Sequence, residues 1–162
     1  MKIRKLTQET SPKALALLRQ SFPNSNYEVK VVERLHHNRD QDAKLFHEWA
    51  CIHTNKIVAY IGFTNAFDGS EICGLHLAPF AVKPEFQSQG VGTELLRFAL
   101  RQESIKNKTI FTLGNPEFYE KFGFELCTTV LSPFAKKRYR LLSIRNNTTR
   151  QFTVGYEPEF SR

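Results

Sequence analysis

The order of hydrophobic patterns along the chain predicts an α/β domain built on one central, mixed sheet. Three observations carry this. The chain has 162 residues, enough for one domain of ordinary size with a real hydrophobic core. Strand-like and helix-like segments follow one another as β-α-α-β-β-β-α-β-α-β-β, and alternation this mixed fits one central sheet flanked by helices. No internal repeat and no low-complexity linker interrupts them, so residues 1–162 read as a single domain. Its core runs to about residue 145, and residues 146–162 form a C-terminal extension of no assigned role.

Taken in order, Lys2–Leu6 alternates and reads as a first strand. Ser11 is a good N-cap with Pro12 at N1, and Ala14, Leu17, Leu18 and Phe22 follow helical spacing until Pro23-Asn24. Ser25-Asn26-Tyr27-Glu28 matches a capping box, and Val31, Val32 and Leu35 give the next helix an apolar face. His36 to Asp42 is polar and reads as a loop. Leu45–His53 and Lys56–Phe63 form a hairpin around Thr54-Asn55, and Ala66 to Ser70 is a second turn. Ile72 to Val82 is apolar on both faces, hence central. Pro79 falls inside it and cannot donate to a ladder, so that point should be a bulge or a splay between strands. A helix follows from about Gly90 to Glu103, then a buried strand at Thr109–Leu113. Asn115 and Pro116 cap a short helix that stops at Gly123. Phe124–Leu131 and Tyr139–Ile144 are the last two strands of the core, and Gln151–Val154 is a short candidate strand in the tail.

The composition, 41% apolar and 24% charged, is that of a soluble globular protein, and fourteen Phe point to an aromatic-rich core. The basic N-terminus has no apolar segment behind it, which argues against a secretory signal. No run approaches the roughly eighteen apolar residues of a membrane span. Cys51, Cys73 and Cys127 are widely spaced and odd in number, which speaks against a disulfide framework, and no His/Cys cluster suggests a metal. These features together predict a cytoplasmic protein without a metal. The net charge of +7, densest at Lys136–Arg140, fits a solvated basic face or an anionic small molecule better than nucleic acid, for which no aromatic-interleaved basic surface is evident.

The strongest chemical signal is a strand, a loop, then Gln87-Ser88-Gln89-Gly90-Val91-Gly92 opening an amphipathic helix. Glycines let the backbone turn sharply and approach a ligand. The first N–H groups of a helix have no intrahelical partner, and with the helix dipole they form an anion site suited to a pyrophosphate. No GK[ST] follows, so this is not a Walker loop, and a Rossmann fingerprint would need three glycines after the first strand of a βαβ unit.

The run Leu77–Thr93 resembles the central Q/R-x-x-G-x-G/A motif of the GCN5-related N-acetyltransferase (GNAT) superfamily. Further on, Asn115-Pro116-Glu117-Phe118-Tyr119-Glu120-Lys121-Phe122-Gly123-Phe124 resembles the same family's F-Y-x-K-x-G-F segment. The two occur in family order and spacing, and the pair looks most like the small YhbS-like bacterial acetyltransferases. The resemblance implies a single-domain GNAT fold: a mostly antiparallel sheet of six to seven strands, flanked by helices and splayed at an acetyl-CoA cleft. It implies an acetyl-CoA-dependent N-acetyltransferase that moves an acetyl group to a primary amine of a small molecule or a protein by direct attack on the thioester. A CoA-binding regulatory module with weak catalysis is the alternative, and a homodimer stays open.

Residue by residue, the resemblance places the pyrophosphate on Gln87, Ser88, Gln89, Gly90, Val91, Gly92 and Thr93 and the pantetheine arm along Ala81 and Val82. Asn115, Phe118 and Phe122 join the cofactor-binding set. Tyr119 is the candidate general acid, since a phenol of pKa about 10 can donate to a departing thiolate. His76 and Glu71, on the central strand, are candidate bases for an ammonium that must lose a proton, and His76 stands near where some members carry a Glu. Cys73 is not expected to be a nucleophile, because an apolar strand raises a thiol's pKa. Acceptor specificity is expected from Phe22–Gln41, the hairpin turn and the residues after Leu131; Phe46, Trp49, Phe63 and Phe67 either line an acceptor pocket or belong to the core.

Overall fold

The computed structural model describes residues 1–42 and 44–162. Four strands, β1 (Lys2–Lys5), β2 (His47–His53), β3 (Lys56–Asp68) and β4 (Glu71–Val82), pair antiparallel in succession. β4 then pairs parallel with β5 (Ile110–Gly114), which pairs antiparallel with β8 (Arg140–Ile144), and β8 with β6 (Glu125–Leu126). The seven-stranded order is thus β1-β2-β3-β4-β5-β8-β6, a mixed and mostly antiparallel sheet as the motifs implied. β7 (Val130–Leu131) and β9 (Phe152–Thr153) make a small parallel pair beside it.

Each face of the sheet is covered because each helix has one apolar stripe. Helices α1 (Ser11–Ser21) and α2 (Tyr27–Asp42) pack Leu17, Leu18, Val32 and Leu35 against Ala50, Tyr60 and Ala81. Helix α3 (Val91–Leu100) packs Leu95, Leu96 and Ala99 on the opposite face, against Trp49, Ile61 and Phe63. The short α4 (Pro116–Tyr119) joins the same cluster through Tyr119.

Several boundaries differ from the sequence reading, each for a physical reason. α2 continues through His36–Asp42, because these polar residues have a buried partner on β2: Glu48 accepts from Arg39 at 2.8 Å and lies 2.7 Å from His36 Nε2. The N-cap of α1 is Thr10, and Ser11 instead donates its hydroxyl to the Thr7 carbonyl at 2.9 Å. β3 runs on to Asp68, so the second turn shrinks to Gly69-Ser70. The segment Phe124–Leu131 splits between two sheets as β6 and β7. The Thr54-Asn55 turn forms as expected, with both residues at positive φ.

The junction that matters most is β4–β5. Parallel register holds only at Leu75↔Ile110 and His76↔Phe111. Beyond it, a side chain alone bridges the strands: Thr112 Oγ1 donates to the Leu77 carbonyl at 3.2 Å. On the β3 side, Ala78 and Pro79 together face the single residue Gly62, since Leu77 pairs with Phe63 and Phe80 with Ile61. Pro79 therefore marks a bulge against one neighbour and lies where β4 parts from the other.

The tail packs on the body. Gly155 exchanges backbone hydrogen bonds with Phe67 at 2.8 and 3.0 Å, Lys44 Nζ donates to Glu159 at 2.8 Å, and Phe160 is buried against the α1–α2 layer. Among the described residues no helix is long and apolar enough to cross a membrane.

Candidate active site

A cleft of about 1050 Å³ passes through the sheet where β4 and β5 part. At the α3 mouth it is lined by Phe86, Gln87, Ser88, Gly90, Gly92 and Thr93. The loop is fixed by its own side chains: Gln87 Nε2 donates to the Val82 carbonyl at 3.1 Å, and Gln89 Nε2 to that of Glu85 at 2.9 Å. Ser88 and Gly90 both take left-handed backbone conformations, with φ of 64° and 81°. Gly90 is the N-cap of α3, and a side chain there would project into open space. Val91, Gly92 and Thr93 then offer N–H groups with no carbonyl ahead of them to bond. Gly92 serves closeness instead, for a Cβ would press on Val82 and Phe80. An anion of pyrophosphate size thus fits this mouth on both charge and shape.

Midway, α4 starts at Asn115, whose Oδ1 accepts from the Glu117 N–H at 3.0 Å. This cap directs Phe118 and Tyr119 at the splay, and Asn115, Phe118 and Tyr119 all line the cleft. The Tyr119 ring lies against Gly114 of β5, where a methyl group would collide with it. Phe118 and Phe124 hold the ring edge-on, with centroids 5.0 and 5.4 Å away. Burial raises the hydroxyl's pKa above the usual phenol value, with the neighbouring Thr112 hydroxyl acting in the opposite direction. At neutral pH it therefore holds its proton and is able to donate one.

Of the other sequence candidates, Val82 lines the cleft, while Ala81 buries its methyl group in the α1–α2 layer. Gln89 and Val91 border a smaller hollow with Met1 and Cys51 on the outer side of the loop. Phe122 packs behind Phe118 at 5.3 Å. The structure does not bring His76 or Glu71 to the cleft. Glu71 is exposed at the start of β4, paired with Asp68 at the far end from the splay. His76 is 2% exposed, stacks on Tyr156 at 3.7 Å and donates from Nε2 to the Gly155 carbonyl at 2.9 Å. Burial pulls its pKa down to about 4, against a smaller upward effect of that hydrogen bond.

The mouth on the α1–α2 face has a wall that motif reading did not assemble: Phe22, Tyr27, Glu28, Val31, Tyr139 and Phe160. Phe22–Gln41 and the residues after Leu131 thus contribute, and the Thr54-Asn55 hairpin turn does not. Trp49 and Phe63 are core residues, 5.9 Å apart. Phe46 is buried in the α1–α2 layer. Cys73 stays away from the cleft with its thiol pKa raised by burial, and all three cysteines are free. No group of three or more His, Cys, Asp or Glu among the described residues is placed to hold a metal.

A mostly antiparallel sheet that parts around a glycine-fed helix, with helices on both faces, defines the architecture of the N-acetyltransferases. The chain belongs to the GNAT family: the family's Acetyltransferase (GNAT) domain matches residues 44–126, just over half of the chain. The uncharacterized N-acetyltransferase YhbS of Escherichia coli K12 is 30% identical over 113 residues, 68% of this chain and 65% of its own length. YjhQ of the same organism, also an uncharacterized N-acetyltransferase, is 40% identical over 76 residues, 44% of this chain and 42% of its own. The matches thus span less than two thirds of these curated relatives. The crystal structure of E. coli YhbS in complex with CoA superposes with a TM-score of 0.83 at 24% identity, covering 99% of this chain and 92% of that one. A Brucella melitensis GNAT acetyltransferase in complex with acetyl-CoA gives 0.79 at 22% identity, covering 99% and 97%. At these identities the likeness is one of fold.

Proposed function

We propose that this protein is an acetyl-CoA-dependent N-acetyltransferase acting on a primary amine of a small molecule or a protein. One observation carries the reading: a single cleft joins an anion-binding helix start, an unpaired strand edge and a buried, protonated phenol. Acetyl-CoA supplies a thioester whose acyl carbon accepts the amine and whose sulfur leaves as a thiolate. The N–H groups of Val91, Gly92 and Thr93 bind its pyrophosphate. The free edge of β4 at Ala81 and Val82 pairs with the extended pantetheine arm as an added strand would. The Tyr119 hydroxyl holds the proton that the leaving sulfur takes up. Phe80 and Phe118, packed 6.0 Å apart, exclude water on the α3 side. The burial of His76 and the distance of Glu71 from the splay favour release of the amine's proton to water over transfer to either side chain.

The test is thiol release from acetyl-CoA across a panel of amines, together with CoA binding by calorimetry. Gly90→Glu places a carboxylate at the pyrophosphate mouth and should weaken CoA about 1000-fold, or about 4 kcal/mol. Unchanged CoA affinity in that variant would remove the helix start from the site. Tight CoA binding without amine-dependent thiol release anywhere in the panel would favour a regulatory CoA-binding module.

A further inference from the structure

The far mouth of the cleft carries a chemistry of its own. We infer that it is an acceptor pocket for a primary ammonium borne on an aromatic or alkyl body, with Glu28 as the anion that receives the charge. This rests on the acetyltransferase reading and names the acceptor class for the same cleft.

Glu28 is the only carboxylate among the described residues that line the cleft. It is half-buried, and among the described residues it makes no ion pair and accepts a single side-chain hydrogen bond, from Ser25 Oγ at 3.1 Å. An unpaired anion beside apolar walls has more to gain from a cation than one in open water. The walls suit the rest of such a molecule. Phe22, Val31 and Phe160 offer no polar side-chain atoms, and Tyr27 has spent its hydroxyl on the Phe160 carbonyl. Among the described residues Tyr139 adds the one phenol of this wall not already hydrogen-bonded, too few partners for a sugar-like acceptor, whose other hydroxyls would stay unpaired at a cost in affinity. Aromatic faces also favour a cation directly.

The wall is braced. Arg34 donates to the carbonyls of Glu159 and Ser161 at 3.3 and 3.1 Å, and the Arg162 guanidinium lies 4.3 Å from the centroid of the Tyr27 ring. The tail and the first turns of α2 therefore present Phe160 and Glu28 as one surface.

Calorimetry on the CoA-saturated protein tests this with phenethylamine, 2-phenylethanol and glucosamine. Phenethylamine should bind about 10-fold tighter than either of the others, and Glu28→Gln should erase its preference over 2-phenylethanol while leaving that over glucosamine, the CoA affinity and the melting temperature unchanged. In turnover, the same variant should raise KM for phenethylamine with kcat retained, which a merely structural helix-start residue would not do. Phe160→Leu, which keeps an apolar group of similar size, should weaken phenethylamine several-fold. Equal binding of the three probes, no binding of any, or phenethylamine affinity unaffected by Glu28→Gln would each overturn the pocket. Preferential binding without thiol release would instead sink the acetyltransferase reading and leave the pocket standing. Thiol release with amines indifferent to Glu28→Gln would do the reverse.

Discussion

Tyr119 and His76 are both ring side chains with a polar atom, both are buried next to the β4–β5 junction, and their situations are opposite. Tyr119 lies past the point where the strands part, with Gly114 beneath it and the cleft in front. His76 lies one pair before that point, in the register position opposite Phe111, capped by Tyr156. Three residues along β5, from Phe111 to Gly114, separate a phenol that faces the cleft from an imidazole sealed off from it. Burial works on both in the same sense, toward the neutral form. It leaves the phenol with a proton to give and the imidazole with a pKa of about 4. Both side chains are thus neutral, the phenol at the cleft and the imidazole as a donor to a carbonyl.

The contrast can be broken by four measurements at three residues. Tyr119→Phe should give the largest effect, a fall in turnover of about 100- to 1000-fold, or about 3–4 kcal/mol, with CoA affinity and melting temperature held. An unchanged rate under conditions where chemistry limits turnover would reduce Tyr119 to packing. His76 should show itself in stability against pH. Its folded pKa lies below its unfolded value, so the unfolded chain takes up the proton first as pH falls. Stability should be flat in this group above about pH 6.5 and should fall between about 6.5 and 4, by up to about 3 kcal/mol. Urea unfolding of the wild type and His76→Gln across that window isolates the effect; identical slopes would mean that His76 is not sealed. Gly114→Ala forces the Tyr119 ring to move and should cost about 2 kcal/mol of stability along with part of the rate, read by melting and by turnover in one preparation. The smallest effect expected is on turnover in His76→Gln, which should stay near wild type. A collapse there at intact stability would return His76 to the chemistry.

What was legible in the sequence was what depends on neighbours in the chain. The α3 mouth of the cleft is one continuous stretch from Val82 to Thr93, made of backbone conformation and helix-start N–H groups, and glycine spacing reports both. Pro79 reported the parting of the strands for the same reason: its missing donor is a local fact. The α1–α2 mouth was not legible, because Glu28, Tyr139 and Phe160 come from segments far apart in the chain and belong to no shared pattern. The end of α2 failed likewise. His36 and Arg39 look like loop residues until Glu48 of β2, 5% exposed, is placed beneath them. His76 could not be assigned from its strand, since its seal comes from Gly155 and Tyr156 in a tail that matched no motif. The resemblance to the GNAT family supplied the cofactor, and no local signal would have identified it.

The parting of β4 from β5 has a consequence for how the protein keeps to itself. A strand with unpaired N–H and C=O groups is a template for any other chain, and outer strands are ordinarily shielded by charge, brevity or proline. Here the template is in the middle of a sheet, along Phe80 and Ala81, and it lies inside a cleft walled by protein, where Phe80 packs on Phe118 with ring centroids 6.0 Å apart. A second polypeptide would have to enter that cleft rather than dock on an open outer edge. A slender linear amide chain has no such difficulty. A partner strand must enter the cleft to reach this edge, and if CoA lies along it, amide hydrogen exchange at Phe80–Val82 should slow on adding CoA while β1 and β2 exchange as before.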